Sequence, residues 1–289
     1  MPELPEVELV KRELAPRVQG RTIEGTDLSE FVNNGHRTGR KTIIKQDIET
    51  FKEWVTGASI IKVGRRGKYI YFVLEKNNDI FHLVAHLGMS GAIFAVDNMD
   101  DIDNVNFRKH WQVVFHLDDS TLMAYCDIRR FGEMSLAGRL NDFLPFSRMA
   151  PEYTDEGSAA YFLDRVKDQK NSNKMIKAVI MDSTVIPGVG NIYASEALYA
   201  AGILPTRKCA NISAKRLAGL HQEIINVFEL SLSKGGSTIS DYRGVSGQSG
   251  NMQNGFSIYQ KKKCGQCGSE VRTKVIATRN TFYCTTCQR

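Results

Sequence analysis

Hydrophobic positions change period twice along this chain. From Pro5, the spacing of Val7, Val10 and Leu14 places apolar side chains on one stripe of a helix. Pro5 suits a first helical position, and Glu6 and Glu8 lie near the positive end of the helix dipole. After Gly20 the pattern shortens to apolar and alternating runs over 59–63, 68–74, 80–86, 112–117 and 121–125, separated by turn clusters such as Lys76-Asn77-Asn78-Asp79 and Asp118-Asp119-Ser120. That half predicts an antiparallel β-sandwich. Residues 141–157, with Pro145 and Pro151, lose periodicity and read as a linker. Helical spacing resumes over 158–170, 174–181, 191–201 and 213–234, the last opening on Ser213 as an N-cap. Between the second and third of these helices runs Val185-Ile186-Pro187-Gly188-Val189-Gly190-Asn191, a Gly-rich double turn of a kind that can offer backbone N–H groups and a helix N-terminus to a phosphate.

A length of 289 residues accommodates two domains, each with its own core, and 42% hydrophobic with 24% charged residues is the balance of an ordinary globular chain. No run approaches the length of a transmembrane helix, and the acidic opening lacks the apolar centre of a signal peptide, so a cytoplasmic, nucleoid-associated protein is expected. The net charge of +6 is unevenly spread: residues 258–289 hold Lys261, Lys262, Lys263, Arg272, Lys274, Arg279 and Arg289 against Glu270 alone, while the remainder balances. A basic terminal module on a neutral body points to a polyanion partner. The same module carries Cys264-x2-Cys267-x16-Cys284-x2-Cys287, the spacing of a structural four-thiolate zinc site. Cys126 and Cys209 stand alone and read as small core residues.

Pro2 offers a secondary amine at the chain terminus once the initiator Met is removed. An α-amino group titrates near pH 8, leaving a nucleophilic fraction at neutral pH. Attack on a sugar C1′ would expel a base and leave an iminium that can sink electrons during later elimination of the flanking phosphates. Glu3 is adjacent to move protons, and Glu6 lies a helical turn further on.

The opening Pro2-Glu3-Leu4-Pro5-Glu6-Val7-Glu8 matches the N-terminal signature of the formamidopyrimidine-DNA glycosylase family. In family order follow Arg66-Gly67-Lys68-Tyr69, His86-Leu87-Gly88-Met89-Ser90-Gly91, Asp127-Ile128-Arg129-Arg130-Phe131-Gly132, the segment Pro187 to Glu196, and the cysteine-rich finger. The chain therefore resembles that family over nearly its whole length. The resemblance implies an α+β multidomain protein: an N-terminal antiparallel β-sandwich with an N-terminal helix (1–140), a helical helix–two-turns–helix domain with a lesion loop (158–257), and a C-terminal β-hairpin zinc finger (258–289). It implies that Pro2 is the Schiff-base nucleophile and Glu3 the general acid/base. Lys68, Lys177, Asn191 and Arg279 would hold the phosphates around the lesion, Lys68 also serving the chemistry. Met89, Arg129 and Phe131 would fill the gap left by an extruded nucleotide, and Gly235 to Gln253 would close over the extruded base. Excision of oxidised purines such as 8-oxoguanine and formamidopyrimidines, followed by β,δ-elimination, is the implied reaction. The implied cofactor is one structural zinc, and the implied partner is damaged double-stranded DNA, bound by a monomer.

The sequence departs from the family at Ile128, where Pro is usual, and at Tyr259 to Cys264, which lacks a common Gly-containing lead into the finger. The polar stretch 29–50 has no evident role. Three other functions compete: an oxidised-pyrimidine glycosylase of the same family, a non-catalytic damage-binding module, and a regulatory zinc-ribbon DNA binder. The wedge triad and long Gly-rich loop disfavour the first, intact Pro2, Glu3 and Lys68 the second, and the whole N-terminal half the third.

Overall fold

The computed structural model describes residues 2–40, 42–237 and 250–289. The chain divides into two compact units, one comprising residues 1–2, 6–147 and 235–250, the other 3–5, 148–234 and 251–289. Helix α1 (Leu4–Val18) forms where the apolar stripe predicts it, and Val7, Val10, Leu14 and Val18 are fully buried.

The first unit is a sandwich of two antiparallel four-stranded sheets. One has the order β1 (Ile23–Leu28), β6 (Trp111–Leu117), β7 (Leu122–Asp127), β5 (Gly91–Val96); the other has β2 (Ser59–Arg66), β3 (Tyr69–Lys76), β4 (Asp79–His86), β8 (Glu133–Ala137). A core including Ile23, Phe51, Phe72, Leu83, Phe115 and Tyr125 fills it. The polar stretch 29–50 resolves into two short capped helices. Ser29 Oγ accepts from Val32 N at the head of α2 (Glu30–Arg37), and Asp47 Oδ1 accepts from Thr50 N at the head of α3 (Ile48–Val55). Each commits two residues to the interior, Val32 with Gly35 and Phe51 with Val55. A single turn, α4 (Val105–Lys109), precedes β6.

Two connections position functional residues. The turn at 87–90 leads from β4 in one sheet to β5 in the other, and the turn at 128–132 leads from β7 back to β8. Because β4 pairs with β8 (His86↔Glu133) and β5 with β7 (Gly91↔Asp127), the two crossings run side by side.

A short helix, α5 (Leu144–Arg148), interrupts the stretch read as a linker. In the second unit α6 (Ser158–Lys167) stops earlier than its periodicity predicts. Asp168 is extended (φ −52°, ψ 137°), and its carboxylate caps the next turn by accepting from Lys170 N. Helix α7 (Ile176–Ile180), the Gly-rich double turn and α8 (Asn191–Ala200) follow, then α9 (Ala214–Ser233), whose N-cap Ser213 accepts from Arg216 N as expected. The chain ends in a hairpin, β9 (Arg272–Ile276) and β10 (Arg279–Tyr283). Its two-residue turn, Ala277-Thr278, has φ of 49° and 61°, the positive values of the type I′ geometry that matches strand twist. Cys126 and Cys209 are buried thiols, pushed up by burial to about 12 and about 11, as core residues should be. Among the described residues no helix is long and apolar enough to cross a membrane.

Candidate active site

A helix N-terminus leaves backbone N–H groups without partners, and Gly190, the N-cap of α8, has no side chain to satisfy them. Glu3 does so instead. Its carboxylate accepts from Gly190 N (2.8 Å), Ile192 N (2.9 Å) and Tyr193 N (3.2 Å), and it is buried. The sequence reading that this turn could seat a phosphate is thus corrected: the anion at its N–H groups is the chain's own carboxylate, a strong pairing at the positive end of a helix. Two glycines make room for it. A Cβ on Gly190 would lie 2.3 Å from Glu3 Cδ, and one on Gly188 (φ +88°) would lie 2.3 Å from the side chain of Leu4, whose N–H donates to the Gly188 carbonyl. Pro2, bonded to Glu3, is buried. Glu6 serves elsewhere, accepting from both the N–H and hydroxyl of Ser237 (2.8 Å each) at the start of the Gly-rich segment. Residues 238–249 of the expected lesion loop lie outside the described residues.

Three of the four residues expected to grip phosphate are brought together in the second unit. Lys177 is fully buried, and its Nζ donates to Asn191 Oδ1 and Thr281 Oγ1. Asn191 Nδ2 donates to the Asn280 carbonyl (3.0 Å) and more weakly to Tyr259 Oη (3.5 Å). Arg279, exposed, opens β10 immediately after the hairpin turn. Burial, opposed by the charge of Glu3 and assisted by that of Arg279, lowers Lys177 to about 8. An ammonium binds phosphate and an amine does not, so a phosphate contact by Lys177 would weaken as pH rises through about 8. Affinity for damaged duplex should fall between pH 7 and pH 9, with the salt-dependence slope shrinking by about one ion. Fluorescence anisotropy across a salt series at each pH checks this, and slopes that agree would refute it. Lys177→Ala should show no such change.

The remaining residues lie in the first unit. Lys68 occupies the second position of the two-residue β2–β3 turn, where Gly67 (φ +55°) supplies the positive φ a tight hairpin needs at its first position. Burial and the charge of Lys68 lower His86 to about 4, and its Nδ1 accepts from Gly88 N, so the imidazole is neutral at physiological pH. Met89 lies half-buried on the 87–90 turn, while Arg129 and Phe131 are exposed on the 128–132 turn, Phe131 to 59%. The Arg129 guanidinium lies over the Phe131 ring, 5.0 Å from its centroid. A large apolar ring left in solvent beside a cation is arranged for contact rather than for a core.

In the finger, the Sγ atoms of Cys264, Cys267, Cys284 and Cys287 all lie within 4.8 Å of one another, with Cys264–Cys287 at 3.8 Å and Cys267–Cys284 at 3.5 Å. Zn–S bonds of about 2.3 Å in a tetrahedron require edges of about 3.8 Å, so the four sulfurs fit one structural zinc. Hydrogen bonds from Ser269 lower the Cys267 thiol, while the hydrogen bond to Cys267 raises that of Cys287. The Tyr199 hydroxyl lies 3.0 Å from Cys264 Sγ. Tyr199→Phe should therefore weaken zinc retention about tenfold, measured by competition with a chromogenic chelator; unchanged retention would show the hydroxyl to be dispensable.

Three contributors escape a reading of the sequence. Glu196 accepts from Ser257 N (2.8 Å), Ile258 N (3.0 Å) and Tyr259 N (2.7 Å), tying α8 to the lead into the finger. Burial raises its pKa, against the lowering effect of those N–H groups. The available signal was a carboxylate inside a helix whose neighbours Ile192 to Leu198 are all buried. Thr281 and Tyr259, which touch Lys177 and Asn191, have no local signature.

A β-sandwich, two helices joined by a glycine-built double turn, and a four-thiolate hairpin define a helix–two-turns–helix protein with a terminal zinc finger. Comparison with known proteins narrows this. Residues 1–134 match the formamidopyrimidine-DNA glycosylase N-terminal domain, 149–243 the formamidopyrimidine-DNA glycosylase H2TH domain, and 261–289 a zinc finger found in FPG and IleRS. A formamidopyrimidine-DNA glycosylase of Geobacillus kaustophilus is 34% identical over 294 residues, with both chains covered completely. Among solved structures, a Lactococcus lactis FPG variant in complex with a Fapy-dG containing DNA superposes with a TM-score of 0.84 at 30% identity, covering both chains completely. A MutM in complex with carbocyclic 8-oxo-G containing DNA gives 0.83 at 30% identity, again over the full length of both. The chain belongs to the formamidopyrimidine-DNA glycosylase family.

Proposed function

We propose that this chain is a bifunctional DNA glycosylase and lyase of base excision repair, acting as a monomer in the nucleoid on duplex DNA that carries an oxidised purine. The observation that carries the mechanism is the seat of Glu3. Three N–H bonds fix the residue to which Pro2 is bonded, and so restrict the terminal amine that removal of Met1 exposes.

The Pro2 amine attacks C1′ of the damaged nucleotide, the C1′–N bond breaks, and the base leaves with its electron pair and a proton, while the amine gives up its own proton. The C1′–O4′ bond then opens, O4′ taking the electron pair and a proton from Glu3, and the nitrogen lone pair completes the C1′=N⁺ iminium. This iminium acidifies C2′–H. Loss of that proton expels the 3′-phosphate, a second elimination expels the 5′-phosphate, and water hydrolyses the imine to free the amine. Glu3 moves protons in these steps. Lys68, Lys177, Asn191 and Arg279 hold the backbone phosphates, while Met89, Arg129 and Phe131 occupy the space the nucleotide vacates. Residues 1–140 supply the nucleophile and wedge, 158–257 the helical DNA-binding module, and 258–289 the finger.

Borohydride reduction in the presence of duplex carrying 8-oxoguanine opposite cytosine should trap a covalent complex, and Pro2→Gly should lose most of it. Trapping on thymine glycol alone would move the substrate to oxidised pyrimidines, and no trapping on any duplex would leave a damage-binding protein. Retention of Met1 in the intact mass would remove the nucleophile.

A further inference from the structure

The wedge residues sit on two separate turns, yet must enter one duplex gap together. Two independent turns would wander relative to each other, and the structure contains a device that stops them. Asp127, the last residue of β7, is completely buried. Its Oδ1 accepts from the hydroxyl of Ser90 on the other turn (2.7 Å) and from Arg129 N (3.2 Å), and its Oδ2 accepts from Gly132 N (2.8 Å). The Ser90 hydroxyl, itself 1% exposed, accepts in turn from Arg129 N at 2.8 Å. One carboxylate and one hydroxyl therefore bind both ends of the Arg129–Phe131 turn to the residue following Met89.

The backbones of the two turns are also in direct contact. A Cβ on Gly88 (φ +61°) would lie 2.5 Å from Gly132 N and 2.6 Å from Phe131 C, and one on Gly132 would lie 1.7 Å from the hydroxyl of Tyr125. That hydroxyl donates to the His86 carbonyl, at the foot of the Met89 turn (3.0 Å). From the flank, Phe31 of α2 presents its ring to Arg130, 3.9 Å from guanidinium carbon to centroid. Arg130 is held at φ +60°, a conformation that a non-glycine residue adopts only when its surroundings impose it.

We propose that Ser90 and Asp127 form a cross-brace that locks the Met89 turn and the Arg129–Phe131 turn into one rigid wedge, with Phe31 buttressing it through Arg130. They are positioning residues: they touch neither base nor sugar, and they set the spacing at which the wedge enters. The proposal rests on the reading of Met89, Arg129 and Phe131 as gap-filling residues. It also gives a role to helix α2 in the polar stretch 29–50. A rigid wedge extrudes an intact stacked base, a step that an abasic site, which has no base to extrude, does not need.

The test compares Ser90→Ala, Asp127→Asn and Phe31→Leu with the parent enzyme on two duplexes, one carrying 8-oxoguanine and one an abasic site. Ser90→Ala removes one small hydroxyl, and so keeps the test available if Asp127→Asn does not fold. The brace requires kcat/KM for base excision to fall about 30-fold or more in Ser90→Ala and Asp127→Asn, and about tenfold in Phe31→Leu. Strand cleavage at the abasic site should fall no more than about threefold. Discrimination between cytosine and adenine opposite the lesion should narrow, because Arg129 no longer meets the orphaned base at a fixed place. 2-Aminopurine beside the lesion should show a smaller rise in fluorescence on binding. A variant that merely loses stability lowers both activities together, and equal losses on the two duplexes would overturn the proposal, as would unchanged base excision. Met89→Ala and Phe131→Ala separate the two levels. If they lower base excision and Ser90→Ala does not, the brace is wrong; if they leave it untouched, the wedge reading fails and the brace with it.

Discussion

Gly190→Ala should lower base excision about 10³-fold while leaving a folded protein. The added methyl would lie 2.3 Å from Glu3 Cδ and 2.4 Å from Glu3 Oε1, a spacing no real structure tolerates, so the carboxylate must leave its seat. With it go three hydrogen bonds at the head of α8 and the constraint on the residue bonded to Pro2. A positioned acid–base group is worth roughly 10²–10⁴-fold, so kcat/KM on 8-oxoguanine duplex should drop about 10³-fold, with the borohydride-trapped complex falling in step. Glu3→Gln, which keeps the shape and removes the charge, should lose activity to a similar degree with less effect on Tm. Gly219→Ala is the matched control. It is exposed on α9 with nothing within 4 Å of where a methyl would stand, and it should gain about 1 kcal/mol of helix stability with no kinetic change. Near-parental excision by Gly190→Ala would show that the seat of Glu3 is not required for chemistry.

The contrast between those two glycines marks what a sequence can disclose. Features with a short-range cause were legible: the Val7, Val10, Leu14 stripe, the Ser213 cap and the paired cysteines each depend on neighbours within a few residues. Features with a long-range cause were not. Strand β5 is buried at every position but its last, so it lacks the alternation that betrays a half-exposed strand. Helices α2 and α3 are too short for a period to emerge from two buried residues apiece, although their caps are ordinary. On sequence grounds the Gly-rich double turn offers its N–H groups to a phosphate; its actual occupant, the Glu3 carboxylate 187 residues away along the chain, is found only in three dimensions. The same holds for Lys177, whose Thr281 partner is 104 residues distant. Local pattern fixes elements and caps; the pairing of charges with their partners depends on topology.

Stripping the zinc should cost most of the affinity for DNA while sparing the helices. A two-stranded hairpin is marginal alone, and the apolar residues around β9 and β10 amount to little more than Ile258 with Tyr199, Val271 and Phe282 beside the cysteines. The sulfur–metal bonds are what hold this end of the chain together. Among its other ties is Gln288, which accepts from Cys284 N and donates to the Ile203 carbonyl (2.8 Å each), a geometry that depends on Cys284 being fixed. Once the hairpin opens, Arg279 loses its place at the head of β10. Lys177 loses Thr281, and Asn191 loses the Asn280 carbonyl. If Lys177 and Arg279 hold phosphates as proposed, two charge-assisted contacts, each worth about 1.5–3 kcal/mol, would be lost together, a fall in affinity of about 10²-fold or more. Either Cys284→Ser or chelation under mildly denaturing conditions should produce it, with far-UV helical signal nearly unchanged because α8 keeps its Glu3 cap and α9 its Ser213 cap. The salt-dependence slope should shrink at the same time, since the basic side chains of 258–289 are no longer presented as one surface. Full affinity after verified zinc loss would mean that the hairpin stands without metal, and that the phosphate grip does not depend on it.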